Sequence, residues 1–308
     1  MIPPGFPTLQ KLVERQLAIF PEHQSYLAKR FSEVTAAGFS FIDEIAEKVT
    51  QIAGDDLSRV CEDYRWLSGI VLDEELHFRR TGGYRLSTFA QAHEQVYSNP
   101  QLMSRYMNGL LASQLWWRNH TDVLQFFRDE FIARSPAGFT HLEIGPGHGL
   151  LLYLAAASRH CKTAEAWDLS AASLDNTQKA LVAMRLARPV SLKNTDLFDA
   201  PREQFTSIAF SEVLEHLEHP QRALKILFEL LADGGRIFLN APVNSPAPDH
   251  LYLFETPEQI LEMIAEAGFV VESSLLAPCT GSTLERARKL KLTISVGAIA
   301  RKIQSRGV

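Results

Sequence analysis

The 308-residue sequence has few cysteines, no large excess of charge of either sign and no long apolar run, and each of these absences excludes a class of protein. Its three cysteines, Cys61, Cys161 and Cys279, lie far apart without metal-type or redox-type spacing, so we expect core thiols in a reducing compartment. The net charge of −5 gives no general attraction to nucleic acid or anionic membranes. No apolar run approaches the ~20 residues of a membrane span, and no signal-peptide pattern opens the chain. We therefore expect a soluble, cytoplasmic protein.

The first part of the chain has apolar residues at helical spacing almost throughout. Pro21 suits the first turn of a helix that we predict to run to Gly38, and Asp55 is predicted to cap a later helix. The apolar positions of 101–134 cover more than one stripe, which predicts burial on two sides. We predict an all-helical cap domain over residues 1–135, followed by a second domain over 136–308.

From Phe139 onward, strand and helix patterns alternate, which predicts an α/β fold with a mostly parallel sheet. Helices are predicted at 171–184, 221–232 and 256–267. The strand candidates are 139–144, 163–168, 189–194, 205–211, 235–241, 269–276 and 292–300.

A glycine-rich turn joins the first of these strands to the apolar run 150–157. Glycine is needed where the backbone takes positive φ or approaches a ligand closely, and the following helix presents free N–H groups. The glycines are Gly145, Gly147 and Gly149, whereas a dinucleotide-binding turn would place its third glycine at position 150, which is leucine. Glu143 precedes the turn, and a carboxylate there favours a ligand with a cationic group over a pyrophosphate.

This acidic residue followed by G-x-G-x-G resembles the first motif of class I S-adenosylmethionine (SAM)-dependent methyltransferases. The resemblance covers residues 139 to about 302 and implies a Rossmann-like, seven-stranded sheet that binds SAM. It implies that Glu143 receives the methionine ammonium group, directly or through water. The three glycines would let the backbone close around the amino acid end of the cofactor.

Further cofactor contacts follow from the same resemblance. Asp168 would accept hydrogen bonds from the ribose hydroxyls, although it is also placed to cap the helix that begins near 171. Asp196 would accept from the adenine amino group, with Leu197 in apolar or backbone contact. Asp199 and a plain solvated turn remain alternatives for that position. Ser211 would lie where the chain passes nearest the methyl donor.

The segment 211–220 resembles the E-x-L-E-H run of quinone-biosynthesis-type small-molecule O-methyltransferases and of a metal-dependent RNA 2′-O-methyltransferase family. Glu212, Glu215 and His216 are spaced i, i+3 and i+4, so a helical turn would present them on one face and could hold Mg²⁺, Mn²⁺ or Zn²⁺. The resemblance implies that His250 completes the metal site. A hydrogen-bonded lid without metal is the alternative, in which His216 or His250 would be the general base for a hydroxyl.

The helical cap is the expected source of substrate selection, and the basic segment 77–85 is either an anion-binding loop or a solvated one. We expect methyl transfer to a small molecule, most simply at a hydroxyl oxygen. C- or N-methylation of a small metabolite is the alternative, while an RNA 2′-O-methyltransferase or a non-catalytic SAM-binding protein is less favoured. A homodimer through the helical domain is open. Aromatic residues that would wall a pocket, or else belong to the core, are Trp116, Trp117, His120, Phe126 and Phe127.

Overall fold

The computed structural model describes residues 1–199, 201 and 203–303. Its first part is helical, and the chain then alternates between strands and helices, as predicted. A π-helical turn at His93–Tyr97 follows α5, and a second one at Phe127–Ile132 follows α7. The helices of the first part are α1 Pro7–Ile19, α2 Gln24–Phe31, α3 Ala36–Ala53, α4 Leu57–Thr81, α5 Phe89–Ala92, α6 Pro100–Trp116 and α7 Arg118–Phe126.

The second part is built on one seven-stranded sheet, which confirms the predicted α/β class. The strands are β1 Phe139–Ile144, β2 Cys161–Asp168, β3 Val190–Asn194, β4 Phe205–Ser211, β5 Leu231–Val243, β6 Val270–Pro278 and β7 Ile294–Arg301. The strand order is β3-β2-β1-β4-β5-β7-β6, and every strand pair is parallel except the two that involve β7. Parallel strands end at one edge, so the residues that follow β1, β2 and β4 gather there.

Helices connect these strands, and each begins where the sequence supplies a suitable terminus. A capping box at Thr256 and Gln259 starts the helix before β6, since the side chain of each residue accepts the backbone N–H of the other. Pro220 occupies the first turn of the helix before β5, where its missing N–H costs nothing. The helices are α8 Leu150–Ala157, α9 Ala171–Ala183, α10 Pro220–Leu230, α11 Pro257–Glu266 and α12 Leu284–Leu290.

Two predicted helix termini are wrong. The helix that begins near Pro21 ends at Phe31, and Gly38 lies inside the first turn of α3. Thr35 caps α3 because its side chain accepts the backbone N–H of Gly38 at 3.2 Å, so the glycine belongs to a start rather than a stop. Asp55 lies in a short 3₁₀ turn, and α4 begins two residues later, at Leu57.

The helical part packs directly on the sheet through aromatic side chains. Phe127 and Phe131 meet Phe238 of β5 at ring-centroid distances of 5.0 and 5.8 Å. All three rings are fully buried, so the core runs continuously from the helices into the sheet. The boundary predicted between residues 135 and 136 falls in the turn before β1, and its standing as a domain boundary stays a prediction.

The three cysteines are free thiols, with Cys61 and Cys161 buried and Cys279 half-buried. Burial raises the pKa of the Cys61 thiol to about 12, which keeps it protonated and unreactive at neutral pH. Among the described helices, none has the length and apolar character needed to span a bilayer.

Candidate functional site

A cavity of about 250 Å³ lies between the carboxyl edge of the sheet and the helical part. The sheet side contributes the residues that end β1, β2 and β4, and the helical side contributes mainly α6 and α7. Of the predicted site residues, the structure brings eight to its wall. These are Glu143, Gly145, Gly147, Asp168, Ser211, Glu212, His216 and His250.

The glycine turn has the backbone shape that requires glycine. Gly145, Gly147 and Gly149 have φ values of 66°, 50° and 76°, all in the left-handed region. A Cβ on Gly147 would lie 3.3 Å from Cε of Met107, a contact tighter than a side chain readily tolerates. Thr177 of α9 donates its hydroxyl to the Gly147 carbonyl at 2.8 Å, which fixes the turn against the neighbouring helix. The turn is therefore a rigid floor for a ligand.

Glu143 is a buried carboxyl beside this turn. It is 2% exposed, and its Oε2 atom is enclosed without a hydrogen-bond partner among the described residues. Burial raises the pKa of Glu143 well above its usual range, because desolvation disfavours the charged carboxylate. A carboxyl in this state is suited to a ligand that brings its own positive charge.

Asp168 lies at the end of β2, beside the start of α9, and its contact with the ribose stays a prediction. Its Oδ1 accepts the backbone N–H of Ser170 at 2.8 Å, and its Oδ2 accepts the hydroxyl of Ser173 at 2.8 Å. These bonds orient the carboxylate at the start of α9, and Ser170 caps that helix. A carboxylate oxygen accepts more than one hydrogen bond, so Asp168 retains acceptor capacity toward the cavity. Burial nevertheless raises its pKa against the effect of the two bonds.

The remaining cofactor predictions fall in different places. Asp196 is half-buried and accepts the backbone N–H of Phe198 at 2.8 Å, while Leu197 is buried in the core. Neither belongs to the cavity wall in the described chain, so their contacts with adenine stay predictions. Ser211 lies on the wall, and its hydroxyl accepts the side-chain amide of Asn240 at 3.2 Å.

A cluster of one carboxyl and two imidazoles lies at the same edge. Glu215, His216 and His250 each offer one ligand atom, and these atoms lie within 4.8 Å of one another. The prediction of one helical turn through the whole E-x-L-E-H run is wrong, because the 3₁₀ turn covers only Leu214–His216. Glu212 precedes it with φ of 53°, and its carboxylate accepts the Asn240 amide at 2.5 Å.

The two imidazoles are held through Nδ1, and their Nε2 atoms have no hydrogen-bond partner in the part of the chain that the structure describes. His216 Nδ1 lies 3.0 Å from the Asp249 carbonyl, and His250 Nδ1 lies 2.6 Å from the Ser245 carbonyl. A carbonyl oxygen only accepts, so each Nδ1 carries the proton and each Nε2 keeps a lone pair. Burial lowers the pKa of His250 to about 4, which keeps the ring neutral and able to bind a metal ion near pH 7.

The carboxyl groups at this edge have no lysine or arginine ion-pair partner among the described residues. Both carboxyl oxygens of Glu215 are enclosed without hydrogen-bond partners in the described chain. Burial, and then the charges of Glu212 and Asp249, raise the pKa of Glu215 well above its usual range. Among the described residues, His216 Nδ1 lies 3.5 Å from Asp249 Oδ2. A divalent cation would satisfy the Glu215 oxygens and both free imidazole nitrogens, so the residues fit such an ion.

Two tyrosines from the helical part reach this edge and were not predicted. Tyr97 donates its hydroxyl to Asp249 Oδ2 at 3.2 Å, and Tyr106 donates to Asp249 Oδ1 at 2.9 Å. Asp249 adjoins His250 in sequence, which was the available signal for its role. The tyrosines had no such signal, because they lie more than 140 positions away in the chain.

The aromatic residues proposed as a pocket wall belong mostly to the core. Trp116 and Phe127 are fully buried within it, and Phe126 packs against Phe238 at a centroid distance of 6.1 Å. Trp117 donates its indole N–H to the Tyr64 hydroxyl. His120 alone of the five lines the cavity, where burial lowers its pKa to about 3.

The basic segment 77–85 anchors the helical part to the rest of the protein. Arg79 pairs with Glu75 and donates to the carbonyls of Leu290 and Lys291, at 2.6 and 3.1 Å. Tyr84 accepts the backbone N–H of Ser245 through its hydroxyl at 3.0 Å. These contacts lie beside the loop that carries His250.

Comparisons with known proteins agree with this fold. The ubiquinone biosynthesis O-methyltransferase of Coxiella burnetii is 24% identical over 123 residues, which are 40% of this chain and 51% of that protein. The chain thus spans about half the length of the curated relatives it matches.

Two solved structures share the fold. An O-methyltransferase family protein from Burkholderia thailandensis has a TM-score of 0.55 at 14% identity, over 82% of this chain and 74% of that one. N-methyltransferase NodS from Bradyrhizobium japonicum, in complex with S-adenosyl-L-homocysteine (SAH), has a TM-score of 0.50 at 18% identity, over 66% and 98%. The family described as "Methyltransferase domain" matches residues 116–274, more than half of the chain. With that match on this seven-stranded sheet, the chain belongs to the family described as "Methyltransferase domain".

Proposed function

We propose that the protein transfers a methyl group from SAM to a hydroxyl oxygen of a small-molecule acceptor, assisted by a divalent cation. The observation that carries this proposal is the cluster of the buried Glu215 with His216 and His250 of the cavity wall, in which no described residue satisfies the two Glu215 carboxyl oxygens. The name of the Coxiella burnetii relative, an O-methyltransferase, supports oxygen as the methylated atom.

The chain's own residues would hold the cofactor through separate contacts. Glu143 would bind the ammonium group, and the turn at 145–149 would admit the amino acid end without a Cβ in the way. Asp168 would accept from the ribose hydroxyls while Ser170 and Ser173 keep it oriented. Asp196 and Leu197 would contact the adenine. When bound, SAM supplies an activated methyl group, so alignment of the acceptor provides much of the rate.

The cation would be held by Glu215 and by the Nε2 atoms of His216 and His250. Two imidazoles and one carboxylate suit Zn²⁺ or Mn²⁺ better than Mg²⁺, which prefers oxygen ligands. When bound, the ion acts as a Lewis acid that lowers the pKa of an acceptor hydroxyl. Asp249 orients His216 and is itself fixed by two tyrosine hydroxyls.

The helical part would select the acceptor. Met103, Met107 and Leu110 lie at i, i+4 and i+7 of α6, on one face of the helix, and all three line the cavity. His120 contributes a polar group on α7. A small acceptor with an apolar body and a hydroxyl facing the cation cluster fits these walls.

The test combines calorimetry with activity. SAH should bind the wild-type protein, and Glu143→Gln should weaken binding by roughly tenfold or more, since it removes the charged acceptor of the ammonium group. Glu262→Gln, on the exposed face of α11, is the matched control and should leave SAH binding unchanged. Methyl transfer to hydroxyl acceptors that stops in excess chelator and returns with Mn²⁺ or Zn²⁺ would support the cation. Full transfer to amines or carbon acceptors in excess chelator would contradict both the cation and oxygen as the acceptor.

A further inference from the structure

Two buried polar atoms face each other behind the predicted ammonium site. His141 lies two positions before Glu143 on β1, so both side chains point to the same face of the sheet. His141 Nε2 and Glu143 Oε2 are 4.0 Å apart. Both atoms are enclosed and neither has a hydrogen-bond partner among the described residues. Buried polar atoms nearly always have a hydrogen-bond partner, so the lack of one for both His141 Nε2 and Glu143 Oε2 requires an explanation.

The neighbouring strand determines which nitrogen of His141 carries the proton. Ser207 of β4 is directly opposite His141 in the sheet register, and its Oγ lies 2.9 Å from His141 Nδ1. Within the described ranges, the buried Ser207 hydroxyl has no other hydrogen-bond partner. The hydroxyl therefore donates to Nδ1, which leaves an N–H at Nε2. That N–H is on the side of Glu143.

Aromatic packing fixes the orientation of the ring. Phe139 and Phe127 both meet His141 edge to face, with ring centroids 6.3 Å away in each case. His141 is fully buried, and burial lowers its pKa to about 3, so the ring is neutral and carries one proton. The imidazole is thus a fixed, uncharged donor aimed along β1.

We infer that His141 is a positioning residue for the cofactor: its Nε2–H hydrogen-bonds Glu143 Oε2 and holds the ionised carboxylate toward the ammonium group of SAM. This inference rests on the proposed contact between Glu143 and that ammonium group. A side-chain movement of about 1 Å brings the 4.0 Å separation into hydrogen-bond range. Ser207, His141 and Glu143 then form one chain of hydrogen bonds that ends at the amino acid part of the cofactor.

The experiment compares two ligands by calorimetry. SAH carries the amino acid, whereas 5′-methylthioadenosine keeps the nucleoside and lacks it. His141→Phe should raise the Kd for SAH about tenfold and change the Kd for 5′-methylthioadenosine less than about twofold, because only SAH uses Glu143. His141→Gln, which restores an N–H donor, should bind SAH within about threefold of wild type.

Two further variants separate positioning from damage to the fold. In a Glu143→Gln background, His141→Phe should have no additional effect on SAH, since its partner is already altered. Ser207→Ala removes the hydroxyl that keeps the His141 proton on Nε2. It should weaken the binding of SAH about threefold and leave the binding of 5′-methylthioadenosine unchanged. Equal losses for both ligands, or unchanged SAH binding in His141→Phe and Ser207→Ala, would overturn the inference. Absence of SAH binding by the wild-type protein, or no effect of Glu143→Gln alone, would instead overturn the proposed function.

Discussion

The hydroxyl of Tyr97 lies 3.2 Å from Asp249 Oδ2 and so joins the helical part of the protein to the loop after β5. The same hydroxyl is 3.2 Å from Nδ1 of His216. Tyr97 therefore contacts one imidazole of the proposed cation site and the carboxylate of Asp249 beside it, although it belongs to a π-helical turn far away in sequence. The helical part thus has a direct means of influencing the ligands of the ion.

Tyr97→Phe tests this influence. Loss of the hydroxyl removes a donor from Asp249 and loosens the orientation of His216, so we expect affinity for Mn²⁺ or Zn²⁺ to fall by about tenfold. Titration against a chelator of known affinity measures the change. Tyr252→Phe is the control, because its hydroxyl has only a 3.5 Å contact with Gln221. Equal metal affinity in wild type and Tyr97→Phe would remove the tyrosine from the site.

His250→Ala should abolish the cation site itself. It removes one of three ligands and leaves Glu215 and His216, which are too few to hold an ion tightly. Elemental analysis after dialysis should fall from about one ion per chain to about none. His219→Ala changes an exposed histidine outside the cluster and should leave the metal content unchanged. A wild-type protein that acquires no ion when supplied with Zn²⁺, Mn²⁺ or Mg²⁺ would contradict the prediction at once.

Asp168→Asn should separate the ribose role from the helix-starting role. Asparagine keeps one acceptor oxygen for Ser170 or Ser173 but loses the charge that strengthens hydrogen bonds from ribose hydroxyls. We expect SAH affinity to fall more than roughly tenfold with little change in thermal stability. Asp175→Asn, at an exposed position of α9, is the control and should leave SAH affinity unchanged. Lower stability with unchanged SAH affinity would indicate a role in starting α9 alone.

His23 should make the protein less stable as the pH falls. Its ring stacks between Phe20 and Tyr26, at centroid distances of 4.9 and 4.6 Å, and burial lowers its pKa to about 4. Between pH 6.5 and about 4 the unfolded chain binds a proton that the folded protein does not, so the free energy of unfolding decreases as the pH drops through this window.

Removal of this histidine gives the measurement. His23→Phe should reduce the slope of unfolding free energy against pH by up to about 1.4 kcal/mol per pH unit in the window. Urea denaturation at about pH 7 and about pH 5 determines the slope. His219→Phe, at an exposed position, is the control. An unchanged slope in His23→Phe would mean that His23 titrates alike in the folded and unfolded protein.

Asp63 should contribute to the stability of the helical part through buried hydrogen bonds. It is 1% exposed and accepts a hydrogen bond from Arg59 of the same helix at 3.1 Å. It also accepts from Arg105 at 3.0 Å and Asn108 at 2.9 Å, and these two bonds connect α4 to α6. Asp63→Ala leaves these donors unpaired and should cost about 2–4 kcal/mol of unfolding free energy. The exposed Asp73→Ala on the same helix should cost less than about 0.5 kcal/mol. Chemical denaturation of both variants gives the comparison.

Local sequence patterns predicted the strands well and the helix termini less well. Alternating and continuous apolar runs located all seven strands, because the buried faces of a sheet constrain residues two apart. Gly38 was read as a helix stop, yet the hydroxyl of Thr35 decides its role three residues earlier. A glycine alone does not show whether a helix begins or ends beside it, whereas the neighbouring capping residue does.

The site was predictable where its residues follow strands and unpredictable where they come from the helices. Glu143, Ser211 and His216 lie next to strand ends, so the topology carries them to one edge. Tyr97 reaches that edge through tertiary packing across 152 positions of sequence, which no local pattern encodes. The donor role of His141 likewise depends on a serine of the adjacent strand.

Phe238 occupies the centre of an aromatic group that includes Phe127 and Phe131 of the preceding helical segment. During synthesis those two rings emerge from the ribosome about a hundred residues before their partner on β5 exists. Until then the nascent helices carry an exposed apolar surface that is accessible to chaperones and to other chains. Translation of β5 is consequently the step that covers this apolar surface and lowers the tendency of the growing polypeptide to aggregate.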